Sequence, residues 1–182
     1  MAGVRRITDD EVRAALDTAN IVDRAMLLIG LNFGTRISET LSLTFGDLAG
    51  SEVEIRAKKK GLIQRYPIPE QVRGVIAELR KYYHDKGVVV TGATPLFVSK
   101  SGRPVSRQAA SQRMKRIFKR AGIEGRVNSH SLRKAFVTAI YEATGKDIAK
   151  TRLYSRHKSL ANLQYYIDSG EATDLVEKLH WG

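Results

Sequence analysis

Asn128-Ser129-His130-Ser131-Leu132-Arg133 opens a run of helical apolar spacing (Leu132, Phe136, Ala139, Ile140), and Asn128 or Ser129 suits its N-cap. His130 and Arg133, three residues apart, then share one face of the first helical turn. Backbone N–H groups and the helix dipole favour an anion at that end. For a basic chain the obvious anion is a phosphodiester. The same residues also suit an ordinary solvated helix face, so the rest of the chain decides between the two.

The charge decides much of it. Among 182 residues, 31 Lys and Arg oppose 19 Asp and Glu, a formal net charge of +12. Such an excess attracts polyanions in a salt-dependent way, and double-stranded DNA is the expected partner; solubility or ribosome association is the blander use. There is no cysteine, which excludes disulfides, a thiol nucleophile and a cysteine metal site. An apolar fraction of 42% supplies the core of one domain, read here as residues 1–182. The longest apolar run, Ala25 to Leu31, is too short for a bilayer, and no basic-then-apolar leader opens the chain. The expectation is a soluble cytoplasmic protein with no membrane partner.

The pattern is mainly α with a small antiparallel β-hairpin. Thr8 and Glu11 make a capping box before Val12, Ala15, Leu16 and Ala19. A second helix runs from about Asp23 to a closing Gly34. Arg36 follows on a short helix, with Glu39 three residues on as its carboxylate partner. Val53, Ile55 and Ala57 alternate with charged residues as a strand, and Ile63 to Ile68 returns beside it. The turn between them holds Lys58, Lys59 and Lys60, suited to phosphates or to plain edge protection. Pro69 starts a helix to about Tyr83, and Leu96-Phe97-Val98 reads as a short buried strand. Ser106 caps a helix to about Ala121 whose outer face carries Arg107, Gln108, Ser111, Gln112 and Lys115, the donors a groove- or backbone-reading helix needs. Asp147 caps another to about Tyr154, and residues 171–182 read as a terminal docking helix or tail.

Thr35-Arg36-Ile37-Ser38-Glu39 with Leu43 and Asp47 resembles the first arginine box of the tyrosine recombinase (phage integrase) family. His130-Ser131-Leu132-Arg133 resembles its H-x-L-R box, and His157 stands nine residues before Tyr166, the family's spacing from second histidine to nucleophile. A hairpin lysine completes the set. The likeness runs in order from about Thr8 to Ile167 and implies the tyrosine recombinase catalytic-domain fold.

The resemblance implies a DNA strand-exchange enzyme, assembled as a homotetramer on DNA and a monomer in solution, that needs no cofactor or metal. Tyr166 would attack the scissile phosphodiester, with Tyr165 packed beside it. Arg36 and Arg133 would clamp the non-bridging oxygens, His130 would handle the tyrosine proton, and His157 would donate to the phosphate. Lys58, at the strand end, is the preferred general acid, with Lys59 and Lys60 as alternatives and otherwise DNA contacts. Relaxation of the type IB topoisomerase kind, or a non-catalytic DNA-binding regulator, are the competing readings. Two departures stand out. Arg156 occupies the position before the second histidine, commonly glycine, where it could shift the loop or contact phosphate. The family usually carries an N-terminal helical domain, and the expectation here is of a catalytic domain without it, either a fragment or a minimal recombinase like the short fimbrial-inversion enzymes.

Overall fold

The structure, a computed structural model, describes residues 4–56, 63–99, 102–157 and 163. Its helices are α1 (Asp9–Asp17), α2 (Ile21–Phe33), α3 (Ile37–Thr40), α4 (Glu70–Asp85), α5 (Arg107–Arg120), α6 (Ser129–Ala143) and α7 (Ile148–Ser155). One hairpin, β1 (Glu52–Arg56) and β2 (Ile63–Pro67), interrupts them between α3 and α4. This is the mainly helical architecture expected. Among the described residues no helix is long and apolar enough to cross a membrane.

Local capping chemistry sets most boundaries. Thr8 Oγ1 accepts the Glu11 N–H at 3.2 Å while the Glu11 carboxylate accepts the Thr8 N–H at 2.8 Å, so α1 starts where expected. Ser106 and Asp147 cap α5 and α7 one-sidedly, each side chain accepting the N–H of the third residue on, Ala109 and Lys150. Helix α2 begins two residues before Asp23, because Asn20 is its cap, accepting the Asp23 N–H at 3.0 Å. Its end at Gly34, with φ 55°, is left-handed as the sequence suggests.

Helix α2 is apolar on nearly every side, with Val22, Ala25, Met26, Leu27, Leu28, Ile29 and Phe33 all buried. A helix with no polar face must be covered all round, and α4, α5 and α6 pack against it. The approach of α6 is close. At Gly30 a Cβ would fall 2.7 Å from Leu132 Cδ1, and at Gly34 it would collide with the Phe136 ring. Glycine at these two places lets α6 lie on α2 and carries Arg133, which lies between Leu132 and Phe136, to the end of α2.

Asp23 is the polar exception among the buried residues of α2. It is buried and paired with both Arg113 and Arg120 of α5. Removing the carboxylate leaves two arginines facing an apolar helix. Breaking a fully buried pair costs ~3–5 kcal/mol, but both arginines keep some solvent, so Asp23→Ala should cost about 2 kcal/mol. A urea titration at fixed salt checks this; an unchanged midpoint would show that the pair contributes nothing.

In the hairpin Glu52 opposes Pro67 and Arg56 opposes Ile63, with Val53, Ile55 and Tyr66 turned into the core. Its turn, including Lys58, Lys59 and Lys60, lies outside the described residues. The strand expected at Leu96-Phe97-Val98 is not formed: these residues are buried but make only isolated bridges, Thr44 with Pro95 and Val98 with Pro104. Each bridge includes a proline, Pro95 at the head of this segment and Pro104 opposite Val98, and proline lacks the N–H needed to extend a ladder. Tyr165, Tyr166 and the expected terminal helix at 171–182 also lie outside the described residues.

Candidate active site

Asn128 is the N-cap of α6: its Oδ1 accepts the His130 N–H at 2.8 Å, and its own N–H reaches Ser131 Oγ at 3.2 Å. This fixes the first turn and hence the direction of His130. Arg133, one turn on, is fully buried. Its guanidinium donates to the Gly34 carbonyl, to the Ser155 carbonyl at 2.7 Å and, at a longer 3.4 Å, to His157 Nε2. One arginine thus joins the end of α2 to the end of α7.

Arg36 caps the N-terminus of α3 beside that same Gly34. Its backbone N–H and its Nη1 each meet the Glu39 carboxylate at 2.9 Å, while the side chain stays 42% exposed. Glu39 itself is buried and also takes the Arg156 guanidinium at 3.3 Å. Burial alone would raise the Glu39 carboxyl, but the Arg36 backbone and side-chain hydrogen bonds and the Arg156 and Arg36 charges hold it below its ordinary range. A lowered folded-state pKa gives stability that is present above the unfolded value and lost as pH falls through the folded one. Glu39→Gln should therefore be less stable than the parent at neutral pH, and should lose less of its stability below pH ~4, where an ordinary carboxylate titrates. Urea midpoints from neutral to acid pH test this; parallel curves would count against it.

Both histidines feel both arginines. His157 is buried, and desolvation first, then the charges of Arg133, Arg36 and Arg156, push it down to about 3. It is neutral at physiological pH. Arginine can only donate, so Nε2 accepts from Arg133 and the proton sits on Nδ1, facing Ser155 Oγ at 2.7 Å. The expected donation to phosphate needs a proton on Nε2 and therefore the other tautomer; as placed, His157 holds Arg133. His130 keeps an edge in solvent, yet partial desolvation and the charges of Arg133 and Arg36 lower it too. A neutral imidazole can accept a proton.

Arg36, His130, Arg133 and His157, scattered over the sequence, thus gather around the turn from Gly34 to Glu39. The α5 face is outward, with Arg107, Gln108, Gln112 and Lys115 exposed and Ser111 half-buried. Arg156 corrects the sequence reading. Its side chain has no exposed surface, so it is not positioned to contact phosphate: it turns inward to Glu39, the Phe33 and Gly34 carbonyls and the Tyr66 hydroxyl. Its backbone is left-handed, with φ 56°. Tyr66 and Ser155 went unnoticed in the sequence. Inward alternation along β2 was the available signal for Tyr66, and nothing local marked Ser155.

The family model described as the phage integrase family matches residues 5–172. The tyrosine recombinase XerC of Vibrio atlanticus is 30% identical over 168 residues, covering 86% of this chain and 52% of that protein. The chain spans about half the length of the curated relatives it matches. The crystal structure of XerA recombinase has the same fold, with a TM-score of 0.77 at 21% identity over 97% of this chain and 65% of that one. Lambda integrase residues 75–356, bound to DNA, superimposes with a TM-score of 0.71 at 17% identity, covering 100% of this chain and 65% of that one. A match that takes in both arginine boxes and the second histidine, on the fold shared with these recombinases, places the chain in the phage integrase family.

Proposed function

We propose that this chain cleaves and rejoins strands of double-stranded DNA at specific sites through a 3′-phosphotyrosine at Tyr166. The observation that carries the reading is the meeting of two arginines and two neutral histidines at one turn. Tyr166 Oη attacks phosphorus, the bond from phosphorus to the 5′-oxygen breaks, and the phosphate becomes esterified to the tyrosine. His130 takes the phenolic proton, and Lys58, or Lys59 or Lys60 in its place, gives one to the leaving 5′-oxygen. Arg36 and Arg133 offer guanidinium forks where negative charge grows on the non-bridging oxygens. The phosphotyrosine conserves the energy of the broken bond, so a 5′-hydroxyl can reverse the step without ATP.

The exposed face of α5 and the hairpin turn supply the DNA contacts, and strand exchange proceeds in a homotetramer on DNA, in the cytoplasm. The reading is tested with a duplex recovered from a randomised library by binding to the protein, then nicked at successive positions. A nick beside the scissile phosphate lets the short 5′-hydroxyl fragment diffuse away and traps the covalent adduct. A denaturant-resistant protein–DNA band is expected; its absence with every nicked duplex would overturn the assignment.

A further inference from the structure

Arg156 is used by none of the steps above, yet its buried side chain is bonded to four other residues. It ends α7 with a left-handed backbone, one of only two non-glycine residues with positive φ among the described residues. L-residues avoid that region because Cβ crowds the following carbonyl, so the side chain's contacts must hold it there. Its Nη1 donates to the Phe33 carbonyl at 3.0 Å and to the Tyr66 hydroxyl; its Nη2 meets the Gly34 carbonyl and Glu39 Oε2, both at 3.3 Å. The guanidinium also lies over the Tyr66 ring, 5.3 Å from its centre. Because arginine only donates, the Tyr66 oxygen accepts from it and sends its own proton to the Tyr154 carbonyl.

These partners are not a random set. Gly34 is also held by Arg133, and Glu39 is also held by Arg36. Tyr66 is on the hairpin whose turn carries Lys58, Lys59 and Lys60. His157 follows Arg156 directly, so the left-handed turn sets where the imidazole goes. We propose that Arg156 is a positioning residue for strand cleavage, bracing the His157 turn against Glu39 and Gly34 on one side and against Tyr66 of the lysine hairpin on the other, without touching DNA. The inference rests on the strand-cleavage reading and adds a role that the boxes of the sequence do not contain.

The test uses the same nicked duplex and compares the parent with Arg156→Gly, Arg156→Lys and Tyr66→Phe. Glycine suits φ 56°, so Arg156→Gly relieves the backbone while removing the brace. At saturating protein its single-turnover rate of adduct formation should fall tenfold or more, with DNA affinity within twofold of the parent. Arg156→Lys, which keeps the charge without the fork, should recover part of that rate. A parental rate in Arg156→Gly would overturn the proposal. So would weakened affinity with a shallower salt dependence, the mark of a phosphate contact, or a lower melting temperature with unchanged rate per folded molecule. If Arg156→Gly fails to fold, Tyr66→Phe decides: it keeps the arginine and should still slow adduct formation at unchanged affinity, and a parental rate there would refute the brace. A parent that forms no adduct refutes the strand-cleavage reading itself, and this inference falls with it.

Discussion

Arg36→Ala is expected to slow adduct formation by roughly a hundred- to a thousandfold, the ~3–4 kcal/mol that removal of a preorganised donor costs at a charge-developing oxygen. The fold should survive the change. The Arg36 side chain is 42% exposed, and Glu39 keeps both the Arg36 backbone N–H and Arg156 as partners. Arg36→Lys should recover little, because an ammonium lacks the rigid planar fork that sets two parallel N–H groups on two oxygens. Arg133→Ala provides the contrast. It should lose a similar factor in rate and also melt at lower temperature, since it strips donors from the Gly34 and Ser155 carbonyls in the interior. Single-turnover rates beside thermal melts separate the two variants. Equal rates for Arg36→Ala and the parent would remove Arg36 from the phosphate.

Tyr166→Phe is expected to have the largest effect of all. It removes one oxygen, the one proposed to become bonded to phosphorus, so adduct formation should fall below detection rather than by a factor. Affinity for the duplex should hold, because the contacts expected from α5 and the hairpin turn do not involve the phenol. Gel-shift titration alongside the adduct assay distinguishes lost chemistry from lost binding. A Tyr166→Phe protein that still forms the adduct would move the nucleophile elsewhere, with neighbouring Tyr165 the first place to look.

What the sequence made legible was what short-range chemistry decides. Thr8 with Glu11, Ser106 and Asp147 mark helix starts because a cap bonds to an N–H two or three residues away. The Arg36–Glu39 pair was visible for the same reason, three residues apart on one turn. Asp23 misled the reading of α2: it was taken as the helix start, whereas its carboxylate serves two arginines on a distant helix. Leu96 to Val98 has strand-like residues, but each of the two bridges around it, Thr44 with Pro95 and Val98 with Pro104, includes a proline. Arg156 shows the limit most clearly. Its charge and its place before His157 suggested an outward contact, while its destination depends on Phe33, Gly34, Glu39 and Tyr66, whose convergence only the packing of α2, α7 and the hairpin decides. The boxes were readable as a set, and the side chains that hold them in register were not.

One measurement goes to the heart of the proposed chemistry: trapping the covalent complex on the nicked duplex, digesting it, and identifying the nucleotide-bearing peptide by mass spectrometry. The expected result is a single phosphotyrosine at Tyr166 joined through a 3′-phosphate, with a free 5′-hydroxyl on the released strand. A 5′-linked adduct, or attachment to any other residue, would contradict it.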